Sequence, residues 1–156
     1  MRCGQAMIET VLAVLFITFL FLITYRVERM LSARILLDHA AARAARAKAV
    51  GFNDYMCRKT ARVAAIPVAG RRLWPADGGF DEVSRVPIYL STENEALARG
   101  VLEYEGWRTM GIDVSSGGGL SASVESTVRM RTDDFDMEGA AAVESHFPFY
   151  MNDQGR

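Results

Sequence analysis

Cysteine and histidine are scarce in this chain, two of each among 156 residues, and the pattern assembles neither a disulfide framework nor a zinc site. Cys3 precedes the main apolar block and Cys57 follows it, so the two are not expected to meet; Cys57 reads as a small half-buried side chain. Charge of one sign is lacking as well. The 18 basic and 19 acidic side chains leave a net charge of -1, which gives no basic field to attract nucleic acid. His39 and His146 lie far apart with no metal or triad partner beside either. No set of nucleophile, base and oxyanion donor can be put together, so an enzyme is the weakest expectation. The Gly117, Gly118, Gly119 run lacks the Gly-Lys-Ser/Thr ending of a phosphate loop and reads as a flexible connection. Asp133, Asp134 and Asp136 gather oxygen ligands but match no EF-hand spacing, and a solvated hairpin turn is expected there. No metal and no cofactor follow from the sequence.

What the chain does have is a dense apolar block. Hydrophobic residues make up 50% of the whole, an ordinary share, but residues 7–25 are apolar almost without interruption. At a helical rise of about 1.5 Å per residue this block covers roughly 28 Å, the thickness of bilayer hydrocarbon. It carries no polar stripe, so it calls for lipid or the centre of an assembly around it. A secretory signal peptide is disfavoured, because Arg2 is the sole early basic residue and no small-x-small cleavage site follows the block. Arg26 and Arg29 come after the block, so counting basic residues does not place the N-terminus inside.

The expected fold is α+β: a long N-terminal helix, a short helix, and a small antiparallel sheet head with one further helix. Without proline before Pro67 and with Gly51 as a C-cap, one helix is expected to cover about residues 6–50. In its second half Met30, Ala33, Leu37, Ala40, Ala44 and Ala47 recur at steps of three and four, a narrow seam for close packing. Glu28, Ser32, His39, Arg43 and Arg46 lie roughly opposite. Asn53 is expected to cap a second helix over 54–66, closed by Pro67. Residues 68–85 read as a long exposed connection and 86–90 as a short edge strand, with Pro87 keeping it from a sheet centre. Thr92 and Glu95 form a capping box for a helix ending at Gly106, with Leu97, Val101 and Tyr104 on its face. Period-two alternation through Val124, Val128 and Met130, preceded by Leu120 and Ala122, predicts a half-buried strand. The alternation returns in Met137, Ala141, Val143, Phe147 and Phe149, so the two segments are expected to form a hairpin, with residues 107–114 as a third strand. Trp74 and Trp107 are expected in the core.

The most informative residues stand at the entrance to the apolar block. A carboxylate inside such a segment costs on the order of 2.5 to 3.5 kcal/mol at mid-bilayer and less near its edge, so Glu9 calls for a partner or a task. Gly4, Gln5 and Glu9, in the run Gly-Gln-Ala-Met-Ile-Glu, resemble in spacing and wording the start of TadE-like pseudopilins of the tight adherence type IV pilus system. Tyr25, Arg29 and the alanine- and arginine-rich stretch 40–47 extend the resemblance over about the first third of the chain. The ending His146-Phe147-Pro148-Phe149 is similar to the family's closing strand.

The resemblance implies a leader of residues 1–4, cut by a prepilin peptidase between Gly4 and Gln5, a long helix over 5–50 and an exported head over 51–156. It further implies a nonenzymatic, minor subunit held first in the bacterial cytoplasmic membrane and then built into a pilus at the cell surface. Its partners would be the prepilin peptidase, other pilin or pseudopilin subunits, the inner-membrane assembly platform and membrane lipid, with no nucleic acid. Glu9 would meet the new α-amine at Gln5 of a neighbouring subunit and fix the register. Such an amine has a reference pKa of about 7.7 to 8 and is largely cationic near neutrality. The competing expectations are a pseudopilin of a type II secretion system, or a single-span membrane protein whose exported domain binds a partner.

Overall fold

The computed structural model describes residues 3–76, 82–116, 123–132 and 135–144. The fold is α+β, with a long N-terminal helix α1 (Cys3–Ala49) followed by smaller helices and two small antiparallel sheets. The chain divides into two compact units, one ending at Ala33 and the other beginning at Arg34.

The first unit is the N-terminal part of α1. Every described side chain from Met7 to Ser32 is exposed, including Phe16, Phe19 and Phe21. The best 18-residue window has a mean hydropathy of 2.4 and no buried share, so this helix is long and apolar enough to cross a membrane. Its hydroxyls are turned onto its own backbone: Thr18 Oγ1 donates to the Val14 carbonyl at 2.8 Å and Thr24 Oγ1 to that of Leu20 at 2.9 Å. In hydrocarbon this is the cheapest way to satisfy a hydroxyl, since no water is at hand.

In the second unit α1 ends in a Schellman motif. The Phe52 N–H reaches back to the Ala47 carbonyl at 3.1 Å and the Gly51 N–H to that of Lys48 at 2.9 Å. Gly51 takes φ +98, which a side chain would resist. Asn53 then caps α2 (Asp54–Ala64) as expected, its side-chain oxygen accepting the Met56 N–H at 2.9 Å. A 3₁₀ turn (Ile66–Val68) contains Pro67 and carries the chain to β1 (Arg72–Trp74). There follow α3 (Glu82–Ser91), α4 (Glu95–Val101), β2 (Glu103–Tyr104) and a helical turn α5 (Glu105–Arg108). The chain then enters β3 (Gly111–Ser116), β4 (Ser123–Arg131) and β5 (Asp136–Glu144). β1 pairs with β2, and β3, β4 and β5 form an antiparallel meander in that order.

The expected hairpin is present, with Val128 opposite Gly139 and Met130 opposite Met137. In β4 the inward residues Val124, Ser126, Val128 and Met130 are buried and alternate with exposed or half-buried ones. Leu120, Ala122, Phe147 and Phe149 lie outside the described residues.

Five local expectations need correction. Residues 86–90 are helical, within α3, and Pro87 sits inside that helix. The three- and four-residue spacing of Val86, Tyr89 and Leu90 turns all three toward the core, and that burial outweighs a proline cost of about 3 kcal/mol. The Thr92 capping box does not form. Asn94, one residue before Glu95, caps α4 and accepts the Ala96 N–H at 2.9 Å, while the Thr92 hydroxyl donates to the Ile88 carbonyl at the end of α3. That helix ends at Val101 rather than Gly106; its buried side holds Ala98, with Leu102 following, whereas Leu97 is exposed. Tyr104 is buried from a strand. Residues 107–110 precede the third strand, because Trp107 is drawn into a turn where its ring meets Tyr89 at 5.1 Å and Tyr104 at 4.9 Å. Trp74 is 49% exposed rather than core, as expected of a three-residue strand paired with a two-residue one.

The core joins Leu37, Ala40, Ala41 and Ala44 of α1 to Ala61, Ala65 and Ala69, to Tyr89, Leu102 and Trp107, and to Val128 and Met130 of the sheet. Its many alanines allow backbones to approach closely. At Gly139 a Cβ would stand 2.5 Å from the Asp38 nitrogen and 2.7 Å from the Leu37 carbonyl oxygen. The neighbouring Ala140 N–H donates to the Asp38 carboxylate at 3.1 Å. Gly139→Ala should therefore cost about 1 to 3 kcal/mol, by overpacking against main chain that cannot move aside. Gly111→Ala, where a Cβ meets nothing within 4 Å, should be nearly neutral. Urea unfolding of the two variants in detergent checks this; equal midpoints would contradict the close approach.

Candidate functional site

Gly4 and Gln5 lie in the first turn of α1, where backbone N–H groups have no intrahelical partner. Glu9 lies one turn beyond Gln5, exposed on the apolar helix. Among the described residues no hydrogen bond or ion pair holds it. Its described neighbours Met7, Ile8, Val11 and Leu12 are all exposed apolar side chains, and none of the described residues compensates its carboxylate. A charge so placed is tolerable in water and costly in lipid, unless a cation comes to it.

The predicted seam is a packing surface, and part of it is covered by the chain's own head. Ala33, Leu37, Ala40, Ala44 and Ala47 are buried, while Met30 is 43% exposed and falls outside it. Leu37, Ala40 and Ala44 belong to the core of the chain's own head. The buried face is also wider than a single line, because Ala41 and Ala45 are fully buried beside it. The opposite residues Glu28, Ser32, His39, Arg43 and Arg46 are all exposed, as their spacing implied.

A polar cluster in the head was not legible in the sequence. Lys59 of α2 is fully buried. Its Nζ donates to the Leu90 carbonyl at 3.2 Å and to the Thr92 carbonyl, and lies 4.5 Å from the Tyr55 ring centroid. It thus supplies donors and positive charge where the carbonyls of α3 run out, a favourable place for a cation at a helix C-terminus. Three residues on, Arg62 reaches Glu95 Oε1 at 3.4 Å, and Arg99 reaches the same oxygen at 3.0 Å. The only hint in the sequence was the i, i+3 spacing of Lys59 and Arg62, which by itself indicates a solvated face. Cys57 is a free thiol, wholly rather than half buried, and burial pushes its pKa up. That describes an unreactive cysteine. Among the described residues no group of three His, Cys, Asp or Glu side chains could hold a metal ion. Asp136 is paired with Arg129 at 3.0 Å, whereas Asp133, Asp134 and His146 lie outside the described residues.

No family model, characterised protein or solved structure matches the chain.

Three carboxylates of the head have lowered pKa values. Lys48 holds Asp54 down by a hydrogen bond and its charge, Arg99 and then Arg62 do so for Glu95, and Arg129 for Asp136. A carboxylate whose folded pKa lies below its unfolded value stabilises the fold above that unfolded value, and the stabilisation is lost as pH falls through the lowered folded one. The ordinary values are 3.8 for aspartate and 4.5 for glutamate. Melting temperature in detergent should therefore hold steady near neutrality and fall as pH drops below about 4.5. Arg99→Gln combined with Arg129→Gln should flatten that fall, and an unchanged acid profile in the double variant would contradict the assignment.

Proposed function

We propose that the chain is a pseudopilin, a minor subunit resembling the TadE-like proteins of the tight adherence pilus, cut after Gly4 and assembled through its N-terminal helix. The observation that carries this reading is a Glu9 with no partner among the described residues, on a bare apolar helix, one helical turn after the Gly4-Gln5 peptide. In this reading the first turn of α1 frays to admit the peptidase, which terminal turns do at little cost. Cleavage leaves an ammonium at Gln5. The amine of one subunit then compensates Glu9 of the next, and any other register strands a charge in an apolar setting. Until assembly the helix stands in the cytoplasmic membrane, with the head exported. The exposed aromatic and aliphatic side chains between Met7 and Tyr25 would exchange lipid for neighbouring helices on entry into the filament.

A second reading, a single-span protein whose exported domain binds a partner, is favoured by one observation. Part of the alanine seam is filled by the chain's own core, so that part is not free for another subunit.

N-terminal sequencing of the protein from membranes of cells with and without a prepilin peptidase separates the two. Processing predicts a start at Gln5 only when the peptidase is present, and Glu9→Ala should be cut normally yet drop out of sheared filaments by about tenfold or more. An intact Met1 in both cells would overturn the pseudopilin reading and leave the anchored domain.

A further inference from the structure

Away from the N-terminal helix, side chains of α2, α3, α4, β2 and α5 line an open cleft of about 440 Å³, within the size range of small-ligand sites. Tyr89, Leu102 and Trp107 line it but are 1%, 0% and 5% exposed, so a ligand reaches their apolar surface only when lining side chains move aside; Arg62, Arg99 and Arg108 bring three guanidinium groups to it. Glu103 is the one carboxylate among the lining residues, and it is occupied by Arg108 Nε at 2.9 Å. The cavity therefore carries an excess of positive charge over an aromatic surface.

A buried donor at its lining is unsatisfied among the described residues. Trp107 and Tyr89 are both buried; among the described residues the Trp107 indole N–H has no hydrogen-bond partner, while the Tyr89 hydroxyl lies beside the Arg62 guanidinium, which can donate to its oxygen. Burial pushes the Tyr89 phenol pKa up, an effect partly offset by the Arg62 guanidinium beside it, so the hydroxyl keeps its proton and remains a donor. The Trp107 indole N–H, on a residue that lines the cleft, is thus left without an acceptor among the described residues, and a ligand that brings one would meet that need. Arg62 and Arg99 share a single carboxylate oxygen of Glu95, which leaves most of their N–H groups for another anion. The Arg99 and Arg108 side chains are 59% and 63% exposed, and as long flexible groups they can swing to admit a ligand.

We propose that this cavity binds a carboxylate carried on an aromatic or aliphatic body. The guanidinium groups would take the carboxylate in their planar fork, and the body would lie over Trp107, Tyr89 and Leu102. Two sources present this chemistry, a free small organic acid and the C-terminal residue of a peptide. Inorganic anions lack the apolar body and are expected to bind poorly.

The test uses the full chain in detergent with Trp74→Phe, which leaves Trp107 as the single tryptophan of the original two. Trp107 emission is followed while N-acetylphenylalanine, a short peptide ending in a free phenylalanine carboxylate, or the amide of either is added. Saturable binding with Kd below about 1 mM is expected for at least one acid. Its amide should bind about tenfold or more weakly, the loss expected when a charge-assisted pair goes. Comparable binding of the small acid and the peptide assigns the site to small acids; much tighter binding of the peptide assigns it to chain ends. Arg99→Gln with Arg108→Gln, both on exposed side chains that leave the fold intact, should weaken binding by about tenfold. If Trp74→Phe disturbs the fold, calorimetric titration of the unaltered chain replaces the emission readout. Equal affinity for acid and amide, full affinity in the double variant, or no saturable response to any acid would each overturn the proposal.

Discussion

The head depends on one close approach, that of the β5 backbone to α1 at Gly139. A side chain there would overlap main-chain atoms of Leu37 and Asp38, and the adjacent Ala140 N–H is claimed by the Asp38 carboxylate. The distance between sheet and helix is thus set by the absence of a Cβ on one side and by alanines on the other. Ala40, Ala41 and Ala44 cover little area each, yet they let strand and helix backbones come near enough for dispersion to act over many atom pairs. A core of this kind tolerates little added volume. Gly106, where a Cβ would stand 2.6 Å from Met130 Sδ and 2.9 Å from the Ala69 carbonyl oxygen, repeats the device where α5 meets the 3₁₀ segment.

Around this contact the helices are held by charges placed at their ends. Lys48, in the last turn of α1, meets Asp54, in the first turn of α2, at 2.6 Å across the Gly51 turn. Each charge favours the end of the helix it sits on, although the pair is exposed and so contributes only modestly. The buried Lys59 at the end of α3 is the stronger case. Without it the half-buried Leu90 carbonyl would lose this donor and the Thr92 carbonyl would be left with the longer hydrogen bond from the Tyr55 hydroxyl at 3.4 Å, and a partly buried acceptor left unmet is costly.

The same helix α1 answers two environments. From Met7 to Ser32 its side chains are exposed whatever their polarity; from Arg34 onward an alanine face is buried and arginines stay out. The first pattern suits a nonpolar surrounding and the second a folded head. In the pseudopilin reading Glu9 is the exception that gives the first half a direction: it is the one acidic group on an otherwise apolar helix surface up to Arg26. The aromatic cavity in the head is independent of that reading, since it lies among α2, α3, α4 and α5 and uses none of the N-terminal residues.

By itself the sequence determined what depends on neighbours along the chain. These are the uninterrupted α1 helix, its stop at Gly51, the Asn53 cap, and the period-two hairpin of β4 and β5, each fixed by dihedral preference or by the alternation of apolar and polar residues. Only the tertiary structure decided where competing local signals were close in energy. Residues 86–90 became helix despite Pro87, because their apolar face could be buried, and Asn94 displaced Thr92 as a cap. It alone decided that Lys59 is buried, that the alanine seam is partly filled by the chain's own sheet, and that Arg62, Tyr89, Trp107 and Arg108 surround one cavity. Those residues lie as far apart in sequence as positions 62 and 108, and no local period can report a meeting that depends on how separate elements pack.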